Sequence, residues 1–140
     1  MRVLIWGNCY PRVGGVETFV ANLAAHGDLV LFSAAVPGQG GASHVNEQPY
    51  RYWQGKFARH GFRLFDPFRR HMRDKAAVEP WYRYNMLLFA REEAARSLPP
   101  AVAETEIAGG RPIANYAPLT WRLRTGALRL LPQPFVHRLA

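Results

Sequence analysis

His44, Asn46 and Glu47 lie within one short stretch and together carry groups that could do acid–base chemistry. A histidine can accept a proton from a hydroxyl or an amine near neutral pH, and amide and carboxylate groups beside it can hydrogen-bond a substrate. We therefore predict that His44 is a catalytic proton acceptor and that Asn46, Glu47 and Gln48 bind substrate. The alternative is structural: Asn46 or Glu47 would cap a helix that begins near Pro49, and His44 would be solvated.

Two aromatic side chains extend this candidate site. Tyr52 and Trp53 follow on the next predicted helix and could line the wall of a substrate pocket, so we include them among the predicted substrate-binding residues. Their spacing to Phe57 also fits the buried side of a helix, in which case the rings pack in the core. Both interpretations remain open at the level of sequence.

The loop that carries these residues follows an apolar segment. Residues 29–36 are almost wholly apolar and are bounded by turn residues, which predicts a strand buried on both faces. Residues 17–26 have helical spacing, with Gly27 at the position of a C-terminal cap. A helix, a tight turn and a buried strand form half of a βαβ unit and predict a parallel sheet. Such sheets place binding sites in the loops beyond the carboxyl ends of their strands, where residues 37–48 lie.

The rest of the first 98 residues predicts a small sheet with one more long helix. Regular elements are expected over residues 2–6, 48–60, 62–65 and 86–90. Residues 68–74 are expected to be irregular, with Arg69, Arg70 and Arg73 either binding an anion or forming a solvated basic face. The alternation of Tyr82 and Tyr84 is interpreted as part of a strand.

From residue 99 the composition changes, because prolines and glycines interrupt every pattern. We predict an α/β domain over residues 1–98 and an irregular, poorly packed extension over residues 99–140. One amphipathic helix is expected over residues 119–131, with Leu123, Leu128 and Leu131 among its apolar residues.

The composition limits the class of protein. The 140 residues are enough for one domain, and a hydrophobic content of 49% can supply a core. No apolar run is long enough to span a membrane and Cys9 is the only cysteine, so we expect a cytoplasmic protein with no membrane partner. A net charge of +8 suggests nucleic acid as a partner, but the arginines are scattered and we expect none. No metal site is predicted, since the histidines and Cys9 lack ligand spacing.

Ordered blocks of residues carry a resemblance to a known family. They include ETFV at 17–20, the apolar segment and glycine loop at 27–41, HVNEQ at 44–48 and VEPWYRYNMLLFA at 78–90. In these blocks and their spacing, residues 17–91 resemble the C-terminal half of class I S-adenosylmethionine-dependent methyltransferases. The resemblance is to the bacterial small-molecule type found near sugar and surface-polysaccharide genes.

The resemblance implies a partial Rossmann-like sheet that is mixed, because its last two strands pair antiparallel. It also implies S-adenosylmethionine as cofactor and a small, sugar-derived metabolite as methyl acceptor. The glycine-rich turn that approaches the cofactor and the acidic residue that holds its ribose are absent from this sequence, so we expect a truncated methyltransferase that is inactive alone. Missing first strands would leave an exposed sheet edge through which the chain could self-associate.

The first 24 residues carry a second resemblance. The runs MRVLI at 1–5 and YPRVGGVE at 10–17 are similar to the opening of two-domain, nucleotide-sugar-dependent glycosyltransferases. In that family a Gly-Gly turn lies at a helix N-terminus, which favours a phosphate or sugar oxygen. The N-terminal lobe of such an enzyme is therefore an alternative function, and a non-catalytic remnant is another.

Overall fold

A computed structural model describes residues 2–7, 15–40 and 46–130 of the chain. Its strands are β1 Val3–Gly7, β2 Leu29–Ser33, β3 Phe62–Phe65 and β4 Leu87–Arg91. Its longer helices are α1 Gly15–His26, α2 Tyr50–Ala58 and α7 Leu119–Leu128. Its shorter helices are α3 Arg69–Met72, α4 Pro80–Asn85, α5 Glu92–Arg96 and α6 Pro100–Ala103. Among the described helices, none is long and apolar enough to cross a membrane.

The described strands form one mixed sheet in the order β1-β2-β4-β3. β2, β4 and β3 make a three-stranded antiparallel sheet, in which Leu31 faces Leu88 and Leu64 faces Phe89. β1 adds to the other side of β2 in the parallel direction, and α1 is the crossover between them. The predicted mixed α/β fold with an antiparallel final pair is confirmed. A Rossmann-type parallel sheet is not present in the described residues, where β1 and β2 are the one parallel pair.

The apolar run of β2 is buried because both faces of the sheet are covered. Val30 and Phe32 point to one face, where they meet the apolar stripe of α1 and the inner side of α2. Phe57 on α2 stacks on Phe89 with ring centroids 4.1 Å apart. Leu29 belongs to a second cluster on the opposite face, which is covered by α5 and the start of α6. The predicted stripe of α1 is confirmed, with Val20, Leu23 and Ala24 buried.

Three segments differ from the prediction. Residues 68–74 are not irregular throughout, because α3 lies within them. The strand expected around Tyr82 and Tyr84 is wrong: Pro80 occupies the first turn of α4, where its fixed φ favours a helix, and this places Tyr84 inside and Tyr82 outside. β2 also ends at Ser33 and not at residue 36, since Ser33 pairs with the last residue of β1.

The described part of the extension packs on the sheet. The backbone N–H of Ile107 donates to the carbonyl of Leu64 at 2.9 Å, and Glu106 forms a bridge with Phe65, so this segment covers the outer edge of β3. Ile113 packs against the main core, and Leu128 of α7 is buried. These contacts cover short stretches, and many of the residues between 105 and 128 are exposed, so the poor packing of this extension stays a prediction. The domain boundary at residue 99 stays a prediction.

Candidate functional site

The candidate site lies at the edge of the sheet where β2 and β3 end and β4 begins. β4 runs antiparallel to both neighbours, so the segments after Ser33, after Phe65 and before Leu87 emerge at the same edge. The loop of residues 34–40 thereby comes close to residues that are distant in the sequence. This is the edge at which the sequence predicts the site.

Glu47 holds the glycine-rich loop in shape. Its two carboxylate oxygens accept the backbone N–H groups of Gly38 at 2.8 Å and of Gly40 at 2.6 Å. Both glycines have positive φ angles, 79° and 72°, which other residues rarely adopt. The alternative role of Glu47 or Asn46 as a helix cap is wrong, since α2 begins after Pro49 without a side-chain cap hydrogen bond. Substrate binding by Glu47 stays a prediction.

Asn46 and Gln48 bond mainly to each other and to the loop. Gln48 donates from Nε2 to Oδ1 of Asn46 at 2.9 Å, and its backbone N–H donates to the carbonyl of Ala35 at 3.2 Å. These contacts tie the approach to α2 back onto the segment that follows β2. The predicted role of both side chains in substrate binding is not tested by this geometry.

A buried network of polar side chains joins the loop to α2 and to the end of α4. Asn85 donates from Nδ2 to Oε1 of Gln39 at 2.7 Å. The hydroxyl oxygen of Tyr50 lies 3.1 Å from Oδ1 of Asn85 and 2.8 Å from the carbonyl oxygen of Tyr84, either of which can accept its hydrogen. Gln39 and Asn85 are buried, so this amide pair fixes the loop against the end of α4.

Arg69 completes the network with a fully buried positive charge. It forms two hydrogen bonds to the carboxylate of Asp66, at 3.0 and 2.7 Å, and a third from Nη1 to the carbonyl of Tyr84 at 3.1 Å. Its guanidinium also lies against the rings of Tyr50 and Tyr116, at 4.8 and 5.4 Å from their centroids. A solvated basic face is therefore a wrong interpretation for Arg69.

Two opposing influences act on the pKa of the Tyr50 hydroxyl. Burial raises the pKa of its hydroxyl above the ordinary value, and the nearby charge of Arg69 acts in the opposite direction with a smaller effect. The hydroxyl therefore remains protonated at neutral pH. In this state Tyr50 positions groups by hydrogen bonding and does not act as a base.

A cavity of about 210 Å³ opens beside the network. Its walls include Tyr50, Tyr84, Asn85, Asn115, Trp121 and Arg129. α7 closes one side, because Arg129 donates from Nε to the carbonyl of Pro37 at 2.7 Å and Arg124 donates to the carbonyl of Gln39 at 3.1 Å. Among the described residues that line the cavity none is acidic, so its wall favours neutral or anionic groups.

The structure brings together only some of the predicted site residues. Trp53 lies in the core with its ring 4.9 Å from that of Phe32, which confirms the packing alternative, and Tyr52 packs edge-on against Trp53. Neither ring lines the cavity. His44 lies outside the described residues, so its role as proton acceptor stays a prediction.

The main residues of the cavity were missed by sequence reasoning. Asn85 and Gln39 are 46 residues apart, and nothing in the spacing of either one indicates the other. The Asp66–Arg69 pair did carry a signal, since opposite charges only three residues apart can meet, here across the turn that precedes α3. In the part of the chain that the structure describes, no group of three or more side chains could hold a metal ion.

Comparison of the chain with protein-family models, with curated proteins and with solved structures gave no match.

Proposed function

We propose that this chain is the acceptor-binding part of a class I S-adenosylmethionine-dependent methyltransferase and that it acts on a small, sugar-derived molecule. The order and direction of the elements carry this proposal. A crossover helix between the parallel strands β1 and β2 is followed by a loop, by α2 and by the antiparallel pair β3 and β4. The resemblance of residues 17–91 to the methyltransferase family implies the same order of elements. The proposal includes a Rossmann-like origin of the sheet.

The cavity beside the network does not fit S-adenosylmethionine itself. The cavity is smaller than the roughly 300–1,000 Å³ of typical ligand pockets, and no acidic side chain lines it to hold ribose hydroxyls. The nearby carboxylates of Glu47 and Asp66 already bond to backbone amides and to Arg69. We therefore assign to these residues only the binding of the acceptor.

The cavity offers a small acceptor two kinds of contact. The ring of Trp121, which packs 5.6 Å from that of Tyr84, gives an apolar wall for the carbon face of a sugar ring. Asn115 and the guanidinium of Arg129 line the same space and can bond to hydroxyl groups. Methyl transfer needs an acceptor heteroatom that is held in place and gives up its proton. His44 stays the predicted proton acceptor.

The test is a thermal melt of the full chain with a methyl glycoside, an amino sugar and a nucleotide sugar. We expect one of the first two to raise the Tm of the parent and to lose this effect in Ala117→Leu, because Ala117 lines the cavity and a leucine there would fill it. Ala101→Leu is the matched control, since Ala101 is exposed on α6.

Two results would contradict the proposal. Equal stabilisation of the parent and of Ala117→Leu would place the sugar elsewhere. Protection by the nucleotide sugar alone would favour the glycosyltransferase alternative. Isothermal titration with S-adenosylmethionine is the companion measurement. We expect no heat because this cavity does not fit the methyl donor, and micromolar binding would place a donor site elsewhere in the chain.

A further inference from the structure

One face of α7 exposes a stripe of leucines. Leu119, Leu123 and Leu130 have exposed fractions of 65%, 64% and 86%, the three highest among the large exposed hydrophobic side chains of the described residues. Leu119 and Leu123 lie on one side of α7, because residues four apart return to nearly the same direction, and Leu130 follows two residues after the helix ends. Exposed apolar patches of this kind mark interaction surfaces.

The opposite face of α7 is already occupied by the rest of the chain. Thr125 and Leu128 are buried, and the side chains of Arg124 and Arg129 donate to the backbone of the loop of residues 34–40. The helix is therefore held against the domain, and its leucine stripe faces outward. The inner side of α7 packs on its own chain. The outer side, which carries the exposed leucines, is available for a partner.

The charge around the stripe selects the kind of partner. Residues 107–140 contain five arginines and no aspartate or glutamate, so this end of the chain is uniformly basic. The exposed Arg122 lies beside the stripe, one turn after Leu119. A second copy of the chain docked on the same stripe would bring like charges together, and no acidic residue of this segment could pair with them. The positive charge of this segment therefore favours an anionic partner.

We propose that the outer face of α7 binds an anionic lipid surface, with Leu119, Leu123 and Leu130 in the boundary between headgroups and acyl chains. A cationic helix with exposed leucines lies in the plane of such an interface and is attracted by negatively charged lipids. This contact differs from a membrane span, which none of the described helices could form. No membrane partner is predicted from the sequence, because it contains no apolar run long enough to span a bilayer. A stripe of leucines on the surface of a helix does not produce such a run.

The test is sedimentation of the full chain with vesicles of phosphatidylcholine, with or without phosphatidylserine. We expect binding to the anionic vesicles that weakens as salt is raised. Leu123→Gln should lower the partition coefficient about tenfold through lost burial of apolar surface. Arg122→Gln should lower it on the order of fivefold.

Two control variants match these changes. Val3→Gln removes an apolar side chain that is 58% exposed on β1, and Arg96→Gln removes one charge from a side chain that is 70% exposed on α5. Both should bind vesicles like the parent. Circular dichroism of each variant checks that α7 and the sheet remain folded.

Three outcomes would overturn the proposal. They are equal binding to both kinds of vesicle, the same partition coefficient for Leu123→Gln as for the parent, and binding to acidic polypeptide in place of vesicles. A dimer in light scattering that Leu123→Gln converts to a monomer would likewise overturn it, since the stripe would then be covered by a second copy.

Discussion

At the scale of single residues, Arg69 is the side chain on which the candidate site depends most. A fully buried guanidinium is tolerated because the carboxylate of Asp66, the carbonyl of Tyr84 and two aromatic rings surround it. A buried ion pair often stabilises a fold no more than two apolar residues of similar size would. Removal of one partner is costly, however, because the other charge is then buried without a counter-charge. The arginine therefore acts as a structural anchor below the cavity.

We predict that Arg69→Met lowers the free energy of unfolding by about 3–5 kcal/mol, because the Asp66 side chain, only 7% exposed, loses its counter-charge. Urea unfolding followed by circular dichroism measures the change. Arg70→Met is the matched control on the neighbouring exposed position and should shift stability by less than about 0.5 kcal/mol. Equal losses of unfolding free energy in the two variants would show that the buried Asp66–Arg69 pair does not stabilise the fold.

Glu106 provides a second prediction at the residue scale. Its hydrogen bond with Arg63 lowers the pKa of the Glu106 carboxyl below the ordinary value of 4.5. A carboxyl with a lowered folded-state pKa adds stability above its unfolded pKa and loses this contribution as the pH falls through the folded pKa. The parent should therefore exceed Glu106→Gln in stability at neutral pH and approach it in acid.

The difference is expected to stay below about 1 kcal/mol, because both side chains are about a third exposed to water. Urea unfolding of the parent and Glu106→Gln at a series of pH values measures it. Glu104→Gln is the control for the change in net charge at an exposed position. A difference that persists undiminished at about pH 3 would rule out the ion pair as its source.

At the scale of elements, the packing of α7 depends on one glycine. A Cβ atom added to Gly38 would lie 2.1 Å from the carbonyl oxygen of Thr125 in α7, and its φ of 79° already disfavours a side chain. Gly61 has a similar φ of 75° with nothing within 4 Å of an added Cβ. An alanine at Gly61 therefore costs only the stability lost to the backbone conformation. An alanine at Gly38 adds the stability lost by displacing α7.

We predict that Gly61→Ala costs about 1–2 kcal/mol through its φ alone, whereas Gly38→Ala costs more and releases α7 from the loop. Hydrogen exchange is the measurement that distinguishes them. The amides of residues 119–128 should lose protection in Gly38→Ala and keep it in Gly61→Ala. Retained protection in Gly38→Ala would mean that α7 shifts to make room without detaching.

At the scale of the whole molecule, the two edges of the sheet differ. The outer edge of β3 is covered by residues 105–107, whose backbone bonds to Leu64 and Asp66. β1 is the other edge strand of the described sheet, and its first residue, Val3, is 58% exposed. Among the described strands only β2 pairs with β1, and an edge strand of this kind can pair with a second chain, so the self-association predicted from the sequence should occur through β1.

We predict that Val3→Lys reduces self-association, because a charged side chain on an edge strand opposes pairing with a second copy. Sedimentation velocity over a range of protein concentrations measures the fraction of dimer. Ala101→Lys is the control, since Ala101 is exposed on α6, outside the sheet. Identical dimer fractions in the parent and in Val3→Lys would exclude this edge as the contact.

The sequence by itself determined the elements that rest on local pattern. The apolar run of β2, the stripe of α1, the strand β3 and the position of α2 all follow from periodicity and from turn residues, since these depend on nearest neighbours along the chain. The sequence also placed the candidate site beyond β2, because that rule needs only the order of elements. It misjudged α4, where a proline in a first turn outweighs an alternating pattern.

Only the tertiary structure decided which polar groups meet. Gln39 bonds to Asn85, Tyr50 to the end of α4, and α7 to the loop of residues 34–40, each across more than thirty residues of chain. The antiparallel insertion of β4 between β2 and β3 brings these segments to one edge. Sequence spacing contains no such information, because contacts between distant residues depend on strand order and direction, which the whole core determines together.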